Sequence, residues 1–459
     1  MNFSLIHHEE NNNRLILIFA GWSTAAPLYA DIRRKGWDTA VVDDYTDLRL
    51  DPSALEGYKT VYLYAWSLGV WAASRVLSAD SITMAFAVNG TLRPVDDRLG
   101  IPEAIFTGTA ENLDERNLRK FRMRMASRAI SPEALGEGAR DVELLRDELL
   151  AIAGSKEPAK EPPLRWRRAY IGSADRIFPP ENQAEAWIAS GSICEETITV
   201  DAPHYIPLKS IVDATIPDLD KVGKRFEASG DTYDLQASAQ LRAAGLLAQM
   251  AQAAHTRPHP RMLEIGQGTG LFTRIYAPLL DPESIDFVDI YPTPVIGACA
   301  TERYHVGDAE TFIESGGRSY DMIVSASTIQ WFRNLPGFIE SAARRLTPGG
   351  SLVCSTFLPG TLDIFDSFRP SPMLYLSKTE ILNALNSNFG EVESITDSVE
   401  LTFDSAKDAL RHLRQTGVGG AFGRFGSLRQ LVSSLEADHD RITLRFNILC
   451  FRASSPLPG

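Results

Sequence analysis

The chain has 459 residues, of which 44% are hydrophobic and 23% charged, and its formal net charge at pH 7 is -13. This length predicts two or three domains, and the composition is typical of a globular protein. The acidic balance argues against a function in nucleic-acid binding. The sequence contains no apolar run near the roughly 18 residues of a membrane helix, and residues 1–10 lack the features of an export signal.

The four cysteines are scattered along the chain and form no C-x-x-C pair. A disulfide framework or a zinc site normally requires closely spaced or paired cysteines. We therefore expect reduced thiols, no bound metal and a cytoplasmic location. The cysteines are Cys194, Cys299, Cys354 and Cys450.

The first half of the chain alternates short apolar runs with helical patterns. Residues 14–19, 39–42, 60–64 and 82–88 are runs typical of buried parallel strands, and residues 169–171 and 197–200 resume the pattern. Between about 111 and 161, Leu, Met and Arg recur and strand runs are missing. This stretch predicts a helical insertion, and three of its side chains either line an acyl tunnel or form its own small core (Phe121, Met123 and Met125).

Ser67 lies where the strand at 60–64 gives way to a helix at 70–77. The surrounding Tyr64-Ala65-Trp66-Ser67-Leu68-Gly69 resembles the G-x-S-x-G nucleophile elbow of α/β-hydrolases, with Ala65 in place of the first glycine. Small residues are needed there because the strand and helix backbones approach closely. A lone serine at such a turn is most often structural, so the interpretation depends on its partners.

Two further strand ends supply those partners. Asp175 follows the strand at 169–171, and His204, the only histidine between His8 and His255, follows the strand at 197–200. The order Ser67, Asp175, His204 is the order expected for an α/β-hydrolase. It predicts that His204 takes the serine proton while Asp175 orients the imidazole.

The hydrolase resemblance implies the rest of the first site. The backbone N–H groups of Trp22, in the loop after the first apolar run, and of Leu68 would form the oxyanion hole. We therefore expect an α/β-hydrolase esterase domain over residues 1–216, with a helical cap at about 111–161 above the serine.

The second half contains a glycine-rich turn after a predicted strand. The sequence from Glu264 to Gly270 reads E-x-G-x-G-x-G, with Gly266 and Gly268 between them. A dinucleotide fingerprint, G-x-G-x-x-G, would require glycine at the position of Leu271. The observed spacing resembles motif I of class I S-adenosylmethionine-dependent methyltransferases, which implies a Rossmann-like fold with these four residues around the cosubstrate.

Later stretches match the same family in order. Asp289 ends a second strand about 20 residues on, where an acceptor for a ribose diol belongs. Asp308 and Ala309 resemble the loop that contacts adenine, and residues 320–327 and 346–353 look like the fourth and fifth strands. The resemblance implies S-adenosyl-L-methionine as the cosubstrate. Methyl transfer from its sulfonium can proceed by positioning alone, so we expect no metal.

Four segments, two in each half of the chain, point to a more specific family for each half. Residues 327–332 and 410–418 look like the malonyl-carrier-protein O-methyltransferases of biotin synthesis, a likeness that covers residues 221–459. Residues 19–22 and 64–71 are similar to the pimeloyl-carrier-protein methyl ester esterases of the same pathway. Gly419 and Gly420 depart from the methyltransferase pattern.

Together the resemblances imply a bifunctional enzyme. One half would methylate the free carboxylate of malonyl-[acyl-carrier protein], and the other would hydrolyse the methyl ester of pimeloyl-[acyl-carrier protein] by a Ser-His-Asp mechanism. Tyr233 and Gln330 are candidates for positioning the acceptor. Acyl carrier protein would be the partner, with no nucleic acid or membrane involved. Basic clusters at 119–124, 165–168 and 411–414 are either solvated faces or docking patches for this acidic partner.

Two alternatives keep both folds. The chain would be a small-molecule carboxyl methyltransferase fused to a general esterase, or the first half would be a non-catalytic hydrolase-like module that only binds the carrier protein.

Overall fold

A computed structural model describes residues 1–126, 130–254, 257–368, 373–417 and 428–457. Val418, the last residue of the predicted motif at 410–418, therefore lies outside the described residues, as do Gly419 and Gly420. The chain divides into two compact units, residues 1–212 and 213–459.

The first unit is built on a seven-stranded sheet in the order β1-β3-β2-β4-β5-β6-β7. All neighbouring pairs are parallel except β1 with β3. The strands are β1 (Asn2–His7), β2 (Arg14–Phe19), β3 (Asp38–Asp43), β4 (Thr60–Trp66), β5 (Met84–Val88), β6 (Trp166–Gly172) and β7 (Thr197–Val200). Every residue of β2 and β4 is buried, as expected for central strands covered on both faces.

Seven α-helices begin within this unit's described residues, and four of them lie between β5 and β6. They are α1 (Leu68–Val76), α2 (Glu103–Glu111), α3 (Glu115–Met125), α4 (Pro132–Leu135), α5 (Val142–Gly154), α6 (Pro180–Ala189) and α7 (Leu208–Thr215). The helical insertion thus begins at Glu103, earlier than the sequence pattern indicates. Gly108 and two threonines in α2 weaken the helical signal there, since these residues have low helix propensity.

The second unit contains another seven-stranded sheet, in the order β10-β9-β8-β11-β12-β14-β13. Its strands are β8 (Arg261–Ile265), β9 (Ser284–Asp289), β10 (Thr301–Val306), β11 (Tyr320–Ser325), β12 (Leu346–Phe357), β13 (Phe389–Phe403) and β14 (Ile442–Pro456). The first five are parallel, and β14 runs antiparallel to both β12 and β13. Chain order reverses at β8, the switch point where ligands bind in doubly wound sheets.

Helices cover both faces of this sheet. They are α8 (Leu219–Gln236), α9 (Ser238–Ala254), α10 (Thr273–Leu280), α11 (Ala309–Glu314), α12 (Leu335–Arg345), α13 (Lys378–Asn386), α14 (Ala406–Gln415) and α15 (Leu428–Asp438). Adjacent side chains of a strand pack on opposite faces of the sheet. On β12, Leu352 belongs to one hydrophobic cluster and Val353 to the other.

Candidate functional site

Ser67 occupies a strained turn between β4 and α1. Its φ is +59° and its ψ is −127°, a region that costs a non-glycine residue about 1–3 kcal/mol. The surroundings hold it there: the Ser67 N–H donates to the Val88 carbonyl at 2.9 Å. A Cβ on Gly69 would lie 2.5 Å from the Phe19 carbonyl oxygen, and one on Gly90 would lie 2.3 Å from that of Ser67. Both glycines are therefore required for the turn.

Ala65, the departure from the elbow pattern, is fully buried in the middle of the sheet. Its register partners are Phe19 on β2 and Ala87 on β5. Ala87 is as small as Ala65, so the methyl group of Ala65 has a short side chain beside it on the same face of the sheet.

The structure brings Ser67, His204 and Asp175 together. Nε2 of His204 lies 3.0 Å from the Ser67 hydroxyl oxygen, and Nδ1 lies 2.8 Å from a carboxylate oxygen of Asp175. His204 is fully buried, and Asp175 and Ser67 are nearly so. This continuous hydrogen-bonded series is the arrangement that proton transfer from the serine to the histidine requires.

Asp175 is held by four donors. Its Oδ1 accepts hydrogen bonds from the backbone N–H groups of Ile177 and Phe178 at 2.7 and 3.1 Å. Its Oδ2 accepts from Gln183 at 3.1 Å as well as from His204. The Phe178 ring also stacks on the His204 ring, with centroids 6.1 Å apart. The carboxylate is thus fixed in position and fully hydrogen-bonded.

Asn89 and Trp66 fix the loop that carries His204, and the sequence analysis did not identify either residue. Both donate to the His204 carbonyl oxygen, Trp66 through Nε1 at 2.9 Å and Asn89 through Nδ2 at 2.8 Å. Asn89 also accepts from the Gly172 N–H at 2.6 Å. The one signal available was the position of Asn89 at the end of β5, beside the other functional strand ends.

A small cavity of about 30 Å³ adjoins Ser67. Trp22 and Leu68 line it, and Leu68 begins α1, where backbone N–H groups lack partners within the helix. The remaining wall is mostly apolar, with two exposed arginines, and comprises Ile101, Ile105, Phe106, Thr109, Phe121, Arg124, Leu149, Arg176 and Ile177. Trp22 is fixed by a bond from Nε1 to the Leu145 carbonyl at 3.1 Å.

The three side chains considered for an acyl tunnel separate in the structure. Phe121 lines the serine cavity and packs edge-on against Trp22, with ring centroids 4.8 Å apart. Met123 is 61% exposed and lines a wider surface groove instead. Met125 is buried and does not line the cavity. Of the three, only Phe121 therefore lines the cavity.

A buried acid ties the insertion to the sheet. Glu148 on α5 accepts a hydrogen bond from the Tyr45 N–H at 2.7 Å and pairs with Arg140, which also contacts Asp44 at 2.7 Å. Burial raises the pKa of Glu148 to about 7, although Arg140 opposes this shift. This cluster anchors α5 to the loop that follows β3.

The second unit contains a cavity of about 100 Å³ at the switch point of its sheet. Gly266 and Gly268 line it with φ of +73° and +56°. A Cβ on Gly266 would lie 2.1 Å from the Thr328 hydroxyl oxygen, so only glycine fits. The backbone is therefore exposed to whatever occupies the cavity.

Two predicted cosubstrate residues do not line this cavity. Glu264 is buried, and its Oε2 accepts hydrogen bonds from Thr273 at 2.8 Å and Tyr276 at 2.7 Å on α10. Burial raises the pKa of Glu264 to about 7. Gly270 has φ of +81°, and a Cβ there would meet Ile296 at 2.3 Å. Both residues flank the glycine turn on the side away from the cavity lining.

Asp289 and the pair Asp308–Ala309 do line the cavity. Asp289, at the end of β9, accepts a hydrogen bond from the Gly268 N–H at 2.9 Å, and burial raises its pKa to about 6. Asp308 caps α11 by accepting from the Glu310 N–H at 3.1 Å. The predicted residues thus meet at one place from three separate loops.

The two candidates for acceptor positioning differ. Tyr233 on α8 lines the cavity beside Phe226, and burial raises its pKa well above the usual value. Gln330 does not line it; its Nε2 donates to the Ser327 carbonyl at 2.6 Å. Trp331, the next residue, lines the cavity instead, and its buried Nε1 has no hydrogen-bond acceptor among the described residues.

Each basic cluster includes at least one arginine paired with a nearby carboxylate. Arg119 contacts Glu133, and Arg411 contacts Asp408. The pairs Arg167–Glu195 and Arg168–Glu196 lie on neighbouring strands and their ends.

Within the described ranges, no group of three or more His, Cys, Asp or Glu side chains has the arrangement of a metal site. The helices in these ranges likewise include none long and apolar enough to span a bilayer. All four cysteines are free thiols.

Comparison with known proteins finds a family model that matches each unit. Residues 3–209 match the family model described as pimeloyl-ACP methyl esterase BioG. Residues 235–386 match a methyltransferase domain model, which confirms the predicted class I methyltransferase fold. The crystal structure of BioG from Haemophilus influenzae is 35% identical, covers 46% of this chain and 96% of its own, and gives a TM-score of 0.40.

Two curated relatives extend this result. The biotin biosynthesis bifunctional protein BioCD of Bordetella avium is 39% identical over 145 residues, 31% of either chain. The malonyl-[acyl-carrier protein] O-methyltransferase of Bacteroides fragilis is 32% identical over 419 residues, which cover 88% of this chain and 84% of the relative. Since that likeness spans both units, the chain belongs to the malonyl-[acyl-carrier protein] O-methyltransferase family and carries a BioG domain at its N-terminal end.

Proposed function

We propose that the chain is a bifunctional, cytoplasmic enzyme of biotin biosynthesis. The second unit methylates the free carboxylate of malonyl-[acyl-carrier protein] with S-adenosyl-L-methionine. The first unit, an α/β-hydrolase, removes the methyl group from the pimeloyl-[acyl-carrier protein] methyl ester. The observation that carries this proposal is the hydrogen-bonded series Ser67–His204–Asp175, in a chain that also holds a glycine-lined methyltransferase cavity.

Ester hydrolysis at the first site proceeds in two steps. The Ser67 oxygen attacks the ester carbonyl while His204 Nε2 accepts the hydroxyl proton, and the same proton then leaves with methanol. Water, deprotonated by His204, cleaves the resulting acyl-serine and regenerates the hydroxyl. Asp175 holds the imidazole through Nδ1, and the N–H groups of Trp22 and Leu68 stabilise the oxyanion by several kcal/mol.

The second cavity suits S-adenosyl-L-methionine, which supplies an electrophilic methyl group on a sulfonium. Backbone exposed at Gly266 and Gly268 allows close approach of the amino-acid portion, and Asp289 offers a carboxylate to the ribose diol. Asp308 and Ala309 would contact the adenine. Glu264 and Gly270 support this surface by holding the turn and α10.

The acceptor needs orientation and not a general base. A carboxylate is already ionised near pH 7, since its ordinary pKa is about 4. We assign orientation of the acceptor to Tyr233, whose ring lies on the cavity wall, and not to Gln330, whose amide holds the Ser327 loop. Raised by burial, the pKa of Tyr233 keeps its hydroxyl protonated and able to donate a hydrogen bond.

One mass-spectrometric experiment tests both activities. The enzyme and S-adenosyl-L-methionine are added to malonyl-carrier protein, and in a parallel reaction the enzyme is added to pimeloyl-carrier protein methyl ester. We expect the first carrier to gain one methyl group and the second to lose one. If free malonyl thioesters are methylated as fast as malonyl-carrier protein, the small-molecule methyltransferase is favoured. If the methyl ester is not hydrolysed, a non-catalytic first unit is favoured.

A further inference from the structure

A buried arginine connects two loops of the methyltransferase cavity. Arg333 follows the short turn Ile329–Trp331 and is 5% exposed. Its Nε donates to a Glu310 carboxylate oxygen at 2.6 Å, and its Nη2 donates to Asp308. Although burial lowers the pKa of an arginine, Glu310 and Asp308 more than offset this, and the pKa of Arg333 lies above its usual value.

Glu310 completes the buried side of this network. It accepts hydrogen bonds from the backbone N–H groups of Arg333 at 3.1 Å and Asn334 at 2.7 Å. Its side chain is 4% exposed. Glu310 therefore fixes the arginine, and the arginine in turn reaches a different carboxylate.

Asp308 is the partly open end of the network. Its side chain is 23% exposed, lines the cavity and also accepts from Thr311 at 3.1 Å. Trp331 and Phe332, which immediately precede Arg333, line the same cavity. The guanidinium thus joins the proposed adenine loop to the loop that follows β11.

We propose that Arg333 is a positioning residue whose planar fork aims the Asp308 carboxylate at the exocyclic amine of the cosubstrate's adenine. This inference rests on the proposed function of the second unit. A lysine would retain the charge but cannot donate from a rigid fork to two carboxylates at once. Geometry and not charge is therefore the property that Arg333 contributes.

The experiment measures binding by calorimetry with the full chain. The ligands are S-adenosylhomocysteine and its inosine analogue, in which a carbonyl oxygen replaces the adenine amine. We expect the wild type to prefer the adenine ligand. In Arg333→Met and Arg333→Lys that preference falls towards one, with adenine-ligand affinity reduced about tenfold or more, the usual effect of losing a charged hydrogen bond. Asp308→Asn should lose the preference in the same way.

Arg345 supplies the matched control. It is another buried arginine of this unit, 6% exposed, and it donates to the carbonyls of Arg318 and Gly316 at 2.7 and 2.6 Å. Arg345→Lys should lower the melting temperature without changing the ratio of the two affinities. A ratio that moves equally in Arg345→Lys would overturn the inference, because packing alone would then explain it.

The two possible failures are distinguishable. A wild-type protein that binds neither ligand contradicts the proposed function and removes the basis of the inference. A wild-type protein that prefers the adenine ligand, together with an Arg333→Lys variant that keeps the full preference, contradicts the inference alone.

Discussion

The side-chain amide of Asn89 donates a hydrogen bond to the carbonyl oxygen of His204 at 2.8 Å. Asn89 is fully buried and also donates to Pro203 at 3.1 Å, while its oxygen accepts from the Gly172 N–H. The end of β5 therefore helps to hold the backbone of the loop that carries the imidazole.

Asn89→Asp should impair ester hydrolysis, because a carboxylate would face two carbonyl oxygens that now receive hydrogen bonds. We expect the free energy of unfolding to fall by about 1–3 kcal/mol. We also expect kcat to fall, with a smaller change in KM. Steady-state esterase kinetics and urea unfolding measure both. Asn182→Asp is the control, since Asn182 also donates to two carbonyls, those of Asp97 and Gly100, but does not contact His204. Similar kinetic losses in both variants would contradict this role of Asn89.

Ser67→Ala should abolish hydrolysis of the methyl ester and leave methyl transfer intact, because the nucleophile is lost while the second unit is unchanged. Ser74→Ala on α1 is the matched control: Ser74 is also buried, and its hydroxyl bonds to the Trp71 carbonyl at 2.7 Å. Carrier masses followed over time give both activities in one sample. Hydrolysis that persists in Ser67→Ala would refute the assignment.

Gly266→Ala should prevent binding of S-adenosylhomocysteine. The added Cβ would collide with Thr328, and φ of +73° is unfavourable for any residue with a Cβ. Gly245→Ala in α9 is the control, because nothing lies within 4 Å of its Cβ position. That change should stabilise the unit by about 0.5–1 kcal/mol, the helical preference for alanine. Calorimetric titration and thermal melting test the pair, and unchanged affinity in Gly266→Ala would exclude the glycine turn as the binding surface.

Glu148 should make the first unit less stable as pH rises from about 4.5 to about 7. The folded pKa, about 7, lies above the model value of 4.5, so the folded state holds the proton more tightly than the unfolded state. The stability gained from this proton is complete below pH 4.5 and is lost above pH 7. Glu148→Gln should remove that part of the slope, whereas Glu143→Gln, an exposed position on α5, should leave it.

Tryptophan fluorescence during urea unfolding is a suitable measurement, because six of the seven tryptophans lie within residues 1–212. An identical pH slope in the wild type and Glu148→Gln would show that Glu148 is not the responsible group.

The sequence alone identified candidate residues that the structure brings together, because strand ends and glycine turns carry local signals. Ser67, Asp175 and His204 each follow an apolar run, and parallel strands deliver such residues to one edge of a sheet. The same logic identified the glycine turn, Asp289 and Asp308. These are features of order and spacing, which a single chain displays directly.

Contacts between distant segments were not visible in that way. Asn89, Gln183 and Arg333 each bond to partners that are separated from them in sequence and that only the fold brings near. Glu264 matches its motif, yet its side chain points towards α10, since a strand alternates its faces and a motif does not state which face is meant.

Two edge strands, β1 and β13, were also missed, whereas the edge strand β7 was predicted. β1 is only partly buried and has no continuous apolar run. β13 alternates between exposed and half-buried residues along most of its 15 residues, so its identity depends on pairing with β14. Such strands are defined by their neighbours more than by their own composition.

The mostly apolar wall around Ser67 bears on what happens after the ester is cut. A neutral methyl ester packs favourably against Leu68, Phe121 and Ile177, whereas the carboxylate left by hydrolysis loses its hydration there. Arg124 and Arg176 also line a wider groove that opens beside this cavity. In the proposed reaction the acyl group thus becomes a poor occupant of its own pocket, and its new charge draws it towards the arginines and solvent.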